Sequence, residues 1–207
     1  MIDLNAIRTL ADIPRVQARV RGDAIAIKFG DRETSYTSLD RESNRVAHAL
    51  IAAGISPGDR VSVLTKNHDR WFPVFFGSAL ARACLAPVNC RLSAAEIAFI
   101  LDDARPKILF VGEELFDCAL EAVADLAAPP RLIALHGSHP GFEGFDDWLG
   151  DAADSQPNDP PQLGDDVLQL YTSGTTGHPK GVVLGNQNYR NFLEMASEIS
   201  GFAYDED

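Results

Sequence analysis

The chain has 207 residues, 45% of them hydrophobic and 23% charged, which is an ordinary globular composition and enough chain to bury a sizeable core. The formal net charge of −12 argues against nucleic-acid binding, which needs a basic face, so we expect no nucleic-acid partner. The longest mainly apolar stretch, residues 71–80, is shorter than the roughly 20 residues of a transmembrane helix, and the N-terminus lacks the pattern of a signal peptide. We therefore expect a cytoplasmic protein without a transmembrane segment.

The N-terminal part, residues 1–36, predicts one helix followed by a β-hairpin. The segment AIAIKF at 24–29 alternates as a strand does, a Gly-Asp pair can form the turn, and ETSYT returns as the partner strand. Thr37 and Asp40 then have the spacing of a capping box. They predict a helix that starts there and ends at Gly54.

Residues 37–135 predict repeated α/β units. Short strand-like segments recur with helical sequence between them, and Ser93 with Glu96 forms a second capping box. Strands arranged in this way require right-handed crossovers and a mainly parallel sheet that helices cover on both faces. The predicted fold class is therefore α/β. The predicted strands are residues 60–64, 84–88, 107–111 and 131–135.

The alternation of strand-like and helical segments ends before residue 136. Residues 136–164 predict an acidic, solvated surface loop. No Lys or Arg occurs between Arg131 and Lys180, and Gly, Pro, Asp and Ser dominate the loop apart from FDDWL at 145–149, which can form one helical turn. Residues 165–207 restore regular structure. A strand runs into a Gly-rich stretch, KGVVL forms a second strand, and Asn186 can cap a last helix.

The stretch YTSGTTGHPKG at 171–181 concentrates hydroxyls, glycines and one lysine directly after a strand. Glycine lets a ligand approach the main chain, hydroxyls donate to oxyanions, and lysine adds a mobile positive charge, so the combination favours a phosphate-binding loop. A Walker A loop is excluded because Pro179 stands where that motif needs glycine, and the chain contains no dinucleotide-binding fingerprint. The alternative is a solvent-exposed hairpin turn, although such a turn needs only about two to five residues.

The sequence YTSGTTGHPKGVVL resembles the phosphate-loop signature of the adenylate-forming superfamily, which includes acyl- and aryl-CoA synthetases, luciferases and the adenylation domains of peptide synthetases. Two upstream segments, TSYTSLDRESNRVAHALIAAGISPGDRVSVL and APVNCRLSAAEIAFILDDARPKILFV, resemble its first and second conserved blocks. The paired threonines of GTTG favour the acyl- or aryl-CoA synthetases. The resemblance covers residues 10–192 and implies the incomplete N-terminal domain of the adenylate-forming fold.

The resemblance implies a reaction in two steps. A carboxylic acid attacks the α-phosphate of ATP to give an acyl-adenylate and pyrophosphate, and a thiol, usually that of coenzyme A, then accepts the acyl group. Hydrogen-bond donors and Mg²⁺ stabilise the leaving pyrophosphate. We expect the serine and threonine hydroxyls of the loop to be ligands and not nucleophiles, since no histidine or carboxylate in the loop is placed to activate them. We expect no catalytic residue and no metal ligand in this chain. The residues that the resemblance assigns to the β- and γ-phosphates are Thr172, Ser173, Gly174, Thr175, Thr176, Gly177 and Lys180.

The chain departs from the family in two ways. Gly185 and Asn186 stand where the family usually has Ser or Thr followed by His. The chain also ends before the adenine-binding segments, the Mg²⁺-binding glutamate and the C-terminal domain. We therefore expect an N-terminal fragment of an ATP-dependent ligase that is inactive alone, binds ATP weakly or not at all, and self-associates through the face left open. The alternative is a non-enzymatic module that binds a phosphate or a partner.

Several other residues carry weaker signals. His136 and His139 form an H-x-x-H pair that could hold a metal, but no third ligand stands at a diagnostic spacing. His178, inside the loop, could contact phosphate, whereas His48 fits a structural role. The remaining candidates favour structural interpretations: an aromatic core cluster at Trp71, Phe72, Phe75 and Phe76; separate loop charges at Asp165 and Asp166; and free thiols typical of a reducing compartment at Cys84, Cys90 and Cys118.

Overall fold

The computed structural model describes residues 6–173 and 179–199, and the side chains as far as Ala196. Within these ranges the helices are α1 (Asp12–Arg21), α2 (Tyr36–Ala52), α3 (Trp71–Leu80), α4 (Ala94–Ala104), α5 (Phe116–Val123), α6 (Phe145–Leu149) and α7 (Asn186–Ile199). The strands are β1 (Ile25–Phe29), β2 (Arg32–Ser35), β3 (Arg60–Leu64), β4 (Cys84–Val88), β5 (Ile108–Val111), β6 (Arg131–Ala134), β7 (Glu143–Gly144), β8 (Asp166–Thr172) and β9 (Lys180–Gly185).

A seven-stranded sheet in the order β7-β6-β5-β3-β4-β8-β9 forms the centre of the described structure, and β1 and β2 form a separate antiparallel hairpin. All neighbouring strands of the large sheet are parallel except β8 and β9. Because β4 and β5 lie on opposite sides of β3, right-handed crossovers place α3 and α4 on opposite faces. The predicted α/β fold, a mainly parallel sheet with helices on both faces, is confirmed.

The core consists of two hydrophobic clusters, one on each face of the sheet. One cluster packs α2, α3 and α6 against Val63 and Phe110, and the other packs α4 and α5 against Leu64 and Leu109. Alternate residues of β3 and β5 thus serve opposite faces, as the pleat of a strand dictates. The central strands are buried on both sides, which explains why they are almost continuously apolar.

The predicted capping box of Thr37 and Asp40 is wrong. Ser35, the last residue of β2, is the N-cap, and its hydroxyl accepts a hydrogen bond from the N–H of Ser38 at 3.1 Å. The hairpin runs directly into α2 without a connecting loop. The helix therefore begins at Tyr36, before the predicted box.

The second capping box is confirmed, because the Glu96 carboxylate accepts a hydrogen bond from the N–H of Ser93 at 2.8 Å while the Ser93 hydroxyl accepts from the N–H of Glu96. Helix α3 begins at Trp71 and ends at Leu80. Arg82 has a positive φ of 60°, which a right-handed helix cannot continue. In the acidic segment, FDDWL forms the short helix α6 as its sequence suggested, whereas β7 was not predicted.

The predicted N-cap role of Asn186 is wrong. Asn186 is the first residue of α7 and is fully buried. Its Oδ1 accepts a hydrogen bond from the N–H of Leu10 at 2.9 Å, and its Nδ2 donates to the carbonyl of Gln162 at 2.8 Å. The N–H of Gly185 donates instead to Oδ1 of Asn188 at 2.8 Å. Asn186 therefore ties the N-terminal segment and the acidic segment to the start of α7.

The remaining sequence expectations have mixed outcomes. Phe75 and Phe76 are buried as predicted, but Phe72 is 41% exposed. All three cysteines are free thiols, and Cys84 alone among them is classed as buried. Across residues 6–173 and 179–199, every helix is too short or too polar to cross a membrane.

Candidate functional site

The candidate site is the connection between β8 and β9. The two strands pair antiparallel, with Tyr171 opposite Gly181 and Thr172 opposite Lys180. Because β8 runs parallel to β4, the connection leaves the sheet at the edge where the other parallel strands end. Open α/β sheets bind their ligands at this carboxyl edge.

The structure brings three of the predicted phosphate ligands together. Thr172 and Lys180 face each other at the base of the loop, Ser173 follows Thr172, and all three residues are exposed. Within the described part of the chain, Lys180 has no ion-pair partner. Four predicted ligands, and with them His178, lie outside the described residues: Gly174, Thr175, Thr176 and Gly177.

A cleft of about 880 Å³ opens beside Thr172 and Ser173. Small-molecule sites commonly have volumes of roughly 300–1,000 Å³. The walls come from the end of β4, from α4 and from β8, and are mainly apolar: Pro87, Val88, Leu92, Phe99, Ile100 and Leu170. The polar groups of the loop thus stand at the rim of an apolar cleft, an arrangement that suits a ligand with both a phosphate and an apolar part.

A chain of hydrogen bonds connects the end of β8 to α4 and β3. Nε of Arg60 donates to Oε1 of Gln169 at 2.9 Å. Nε2 of Gln169 donates to the hydroxyl of Tyr171 at 2.8 Å, and this hydroxyl donates to Oδ2 of Asp103 at 2.5 Å. Burial raises the pKa of Tyr171, and the hydrogen bond to Asp103 raises it further, so the hydroxyl keeps its proton and remains a donor.

Gly181 leaves the space that this chain of hydrogen bonds requires. A Cβ built on Gly181 would lie 2.6 Å from Nε2 of Gln169, closer than a Cβ atom can approach. The Gln169 amide is buried and bonded through both its oxygen and its nitrogen, so it cannot move aside without breaking a hydrogen bond. Glycine at this position therefore serves packing inside the hairpin.

Arg60, Asp103 and Gln169 are site residues that were not predicted from the sequence. Gln169 carries a usable signal, because a glutamine on the inward face of an otherwise apolar strand predicts a buried hydrogen-bond partner. Asp103 lies on α4 and Arg60 at the start of β3, and no spacing in the sequence links either of them to the loop.

His136 and His139, which the sequence suggested as a possible metal-binding pair, make ring contacts with different residues. His136 stacks on His68, with ring centroids 4.2 Å apart and planes 4° from parallel, whereas His139 packs against Phe116. Burial, and then the nearby His136, lower the pKa of His68 to about 4. In the part of the chain that the structure describes, no three His, Cys, Asp or Glu side chains converge as metal ligands.

Known sequences match most of this chain. The model of a family described as AMP-binding enzyme matches residues 14–207. A fatty acid–[acyl-carrier-protein] ligase of Streptomyces coeruleorubidus is 40% identical over 185 residues, which cover 88% of this chain and 34% of that protein. A long-chain-fatty-acid–CoA ligase of Mycobacterium tuberculosis is 35% identical over 170 residues, which cover 82% of this chain and 32% of that protein. This chain thus spans about a third of the length of these relatives.

Solved structures of related enzymes have a similar fold. The anthranilate CoA ligase AuaEII in complex with anthranoyl-AMP matches with a TM-score of 0.83 and 26% identity, covering 94% of this chain and 37% of that one. The N-terminal domain of FACL13 from Mycobacterium tuberculosis matches with a TM-score of 0.74 and 32% identity, covering 86% of this chain and 44% of that one.

Proposed function

Because this chain belongs to the AMP-binding enzyme family, we propose that it is the N-terminal part of an ATP-dependent acyl- or aryl-CoA ligase. The ligase activates a carboxylic acid as an acyl-adenylate and transfers the acyl group to the thiol of coenzyme A. The observation that carries the proposal is the pairing of Thr172 with Lys180 at the carboxyl edge of the sheet, at the base of a loop rich in hydroxyls and glycines. The names of the relatives, which are fatty-acid ligases, support a carboxylic acid substrate; the acceptor in those names is an acyl-carrier protein in one case and CoA in the other.

In this proposal the loop holds the β- and γ-phosphates of ATP. A carboxylate oxygen of the substrate attacks the α-phosphorus, the bond from that phosphorus to the bridging oxygen breaks, and pyrophosphate leaves with the electron pair. The Lys180 ammonium group offsets the charge that grows on pyrophosphate, and the hydroxyls of Thr172 and Ser173 donate hydrogen bonds to its oxygens. These hydroxyls act as ligands and not as nucleophiles, since neither is hydrogen-bonded to a base within the described residues.

The described residues at the loop do not by themselves fit Mg²⁺. This ion prefers carboxylate, phosphate and water oxygens. Glu96 lines the cleft, but its Oε2 already accepts hydrogen bonds from the N–H and the hydroxyl of Ser93. A metal ion bound by the described loop residues therefore takes no part in the proposed step.

We further propose that the 207-residue chain is inactive alone and binds ATP weakly or not at all. It spans about a third of the relatives' length, and the described loop residues are open to solvent. Lys180 is the only Lys or Arg between Arg131 and Arg190, so the local sequence does little to offset the charge of ATP.

Exchange of labelled pyrophosphate into ATP tests both parts of the proposal. The assay compares this chain with the complete polypeptide that its gene encodes, each with a panel of aliphatic and aromatic carboxylic acids. We expect acid-dependent exchange by the complete polypeptide and none by this chain. Pyrophosphate exchange by this chain would show that it is active alone. A complete polypeptide that shows no pyrophosphate exchange with any acid would refute the ligase assignment. Tight ATP binding by this chain without exchange would favour the phosphate-binding module.

We also propose that the isolated chain self-associates through the apolar side chains that β8, β9 and α7 expose. These side chains are Leu170, Val182, Val183, Phe192 and Met195, each between 38% and 58% exposed. Water-exposed apolar groups on an edge strand favour pairing with a second copy. Sedimentation velocity of this chain is expected to show dimers or larger species whose fraction rises with concentration, and Val182→Lys should reduce it. A monomer at all concentrations contradicts this part of the proposal.

A further inference from the structure

We infer that Tyr171 and Asp103 are positioning residues that fix the base of the phosphate loop; the inference rests on the proposed function of that loop. The hairpin that carries the loop lies at the end of the sheet. β9 has no neighbour besides β8 in the described sheet, and its Val182 and Val183 are exposed. The backbone register between β4 and β8 pairs Leu85 with Leu168, well before the loop begins at Thr172. The end of β8 therefore needs support from side chains.

That support is the chain of hydrogen bonds from Arg60 to Asp103. All hydrogen bonds in this chain are donated in the direction from Arg60 to Asp103. The Arg60 guanidinium donates to Gln169, and Gln169 donates to Tyr171. The Tyr171 hydroxyl then donates to the Asp103 carboxylate. A chain that starts on a cation and ends on an anion polarises each bond in the favourable direction, so its members strengthen one another. Three elements, β3, β8 and α4, are thereby joined at the residue that directly precedes Thr172.

The position of Asp103 explains why the Tyr171 hydroxyl matters. Asp103 lies in the last turn of α4, where the carbonyl end of the helix disfavours a negative charge. The hydroxyl of Tyr171 compensates this carboxylate, and the carboxylate in turn holds the tyrosine ring against α4. Loss of either partner frees the end of β8 from the helix.

Gly181 makes room for the same chain of hydrogen bonds. It faces Tyr171 across the hairpin, and its missing Cβ gives the Gln169 amide room to reach the Tyr171 hydroxyl. The glycine that follows Lys180 in the sequence is thus explained by clearance for Gln169. A methyl group there pushes the amide away and breaks the chain without touching the ligand side of the loop.

The test uses Tyr171→Phe and Asp103→Ala in the complete polypeptide, with Tyr36→Phe as the control. The Tyr36 hydroxyl, at the start of α2, has no hydrogen bond among the described residues. We expect each loop-base variant to raise KM for ATP roughly tenfold in pyrophosphate exchange, the loss that follows when a charge-assisted bond no longer orders the loop. The double variant should lose no more than either single one, and Asp103→Asn, whose amide oxygen still accepts, should restore most of the affinity.

A second readout is independent of activity. Amide hydrogen exchange of this chain in the peptide over residues 170–182 is expected to be faster in Tyr171→Phe than in the parent chain, with a melting temperature lowered by only about 2–4 °C. If the parent polypeptide shows no pyrophosphate exchange, the proposed ligase function fails. The amide hydrogen exchange measurement then tests the roles of Tyr171 and Asp103 on its own. The inference is overturned by unaltered amide exchange, by KM values within twofold of the parent, or by single-variant effects that multiply in the double variant.

Discussion

Replacing Lys180 by alanine in the complete polypeptide is expected to lower acid-dependent pyrophosphate exchange by about 10²–10³-fold, the loss seen when one preorganised charge-stabilising donor is removed. Lys180 stands opposite Thr172 at the base of the loop, and its side chain extends into solvent without an ion-pair partner among the described residues. An ammonium group held there is available to a phosphate. Substitution of an exposed residue changes the free energy of unfolding by only about 0.5 kcal/mol or less, so the loss should not come from unfolding.

The matched control for this prediction is Arg190→Ala. Arg190 is the next Lys or Arg along the chain, but Nε of its guanidinium donates to Oε1 of Glu194 at 2.9 Å on α7. Its removal lowers the net charge by the same amount and should leave exchange within twofold of the parent. Lys180→Arg keeps the positive charge but replaces the compact ammonium group by a planar guanidinium group. We therefore expect it to recover only part of the activity. Equal losses in Lys180→Ala and Arg190→Ala would show that overall charge, and not the loop, binds ATP.

Local sequence signals predicted the framework of this site well. The strands β3 and β4 and the capping box of α4 follow from apolar patterning and residue spacing, because each depends on neighbours in the chain. The loop was likewise recognisable, since its glycines, hydroxyls and lysine are consecutive. The Thr37 capping box failed for a local reason: Ser35 offers the same chemistry earlier, at the end of a strand that leads straight into the helix.

The supports of the site could not be predicted, because they join residues that are distant in sequence. Tyr171 contacts Asp103 across 68 residues, and Arg82 contacts Asp165 across 83. Such pairs depend on how strands and helices are ordered in space, and a single sequence does not specify that order. The interpretation of Asp165 and Asp166 as separate charges was nevertheless right, since Asp165 binds Arg82 while Asp166 is exposed.

The Arg82–Asp165 contact anchors the opposite end of β8. Nε and one terminal nitrogen of Arg82 donate to the two oxygens of Asp165 at 2.9 and 3.0 Å, and the other terminal nitrogen donates to Asp159 at 2.8 Å. The Arg82 and Asp165 side chains are only 14% and 13% exposed. Asp165 also accepts the N–H of Gln162 through its carboxylate and the N–H of Asn186 through its carbonyl. The acidic segment, β8 and α7 therefore meet at one ion pair.

Arg82→Ala is expected to lower the free energy of unfolding by about 3–5 kcal/mol, because it leaves a largely buried carboxylate without its cation. Urea denaturation of this chain measures the change, and Lys28→Ala is the control. Lys28 pairs with Glu33 at 3.1 Å, but both side chains are well exposed, so its removal should cost less than about 1 kcal/mol.

Arg82→Gly separates the ion pair from the backbone. It loses the same guanidinium but relieves the positive φ of 60°, so it should be more stable than Arg82→Ala by roughly 1 kcal/mol. The order of stability expected is therefore parent, then Arg82→Gly, then Arg82→Ala. If the glycine variant matches the parent, the stabilisation by the ion pair is no larger than the backbone strain at Arg82, which contradicts the expected loss of about 3–5 kcal/mol. If both variants lose stability in the expected order, the contact of Arg82 with Asp165 fixes the start of β8.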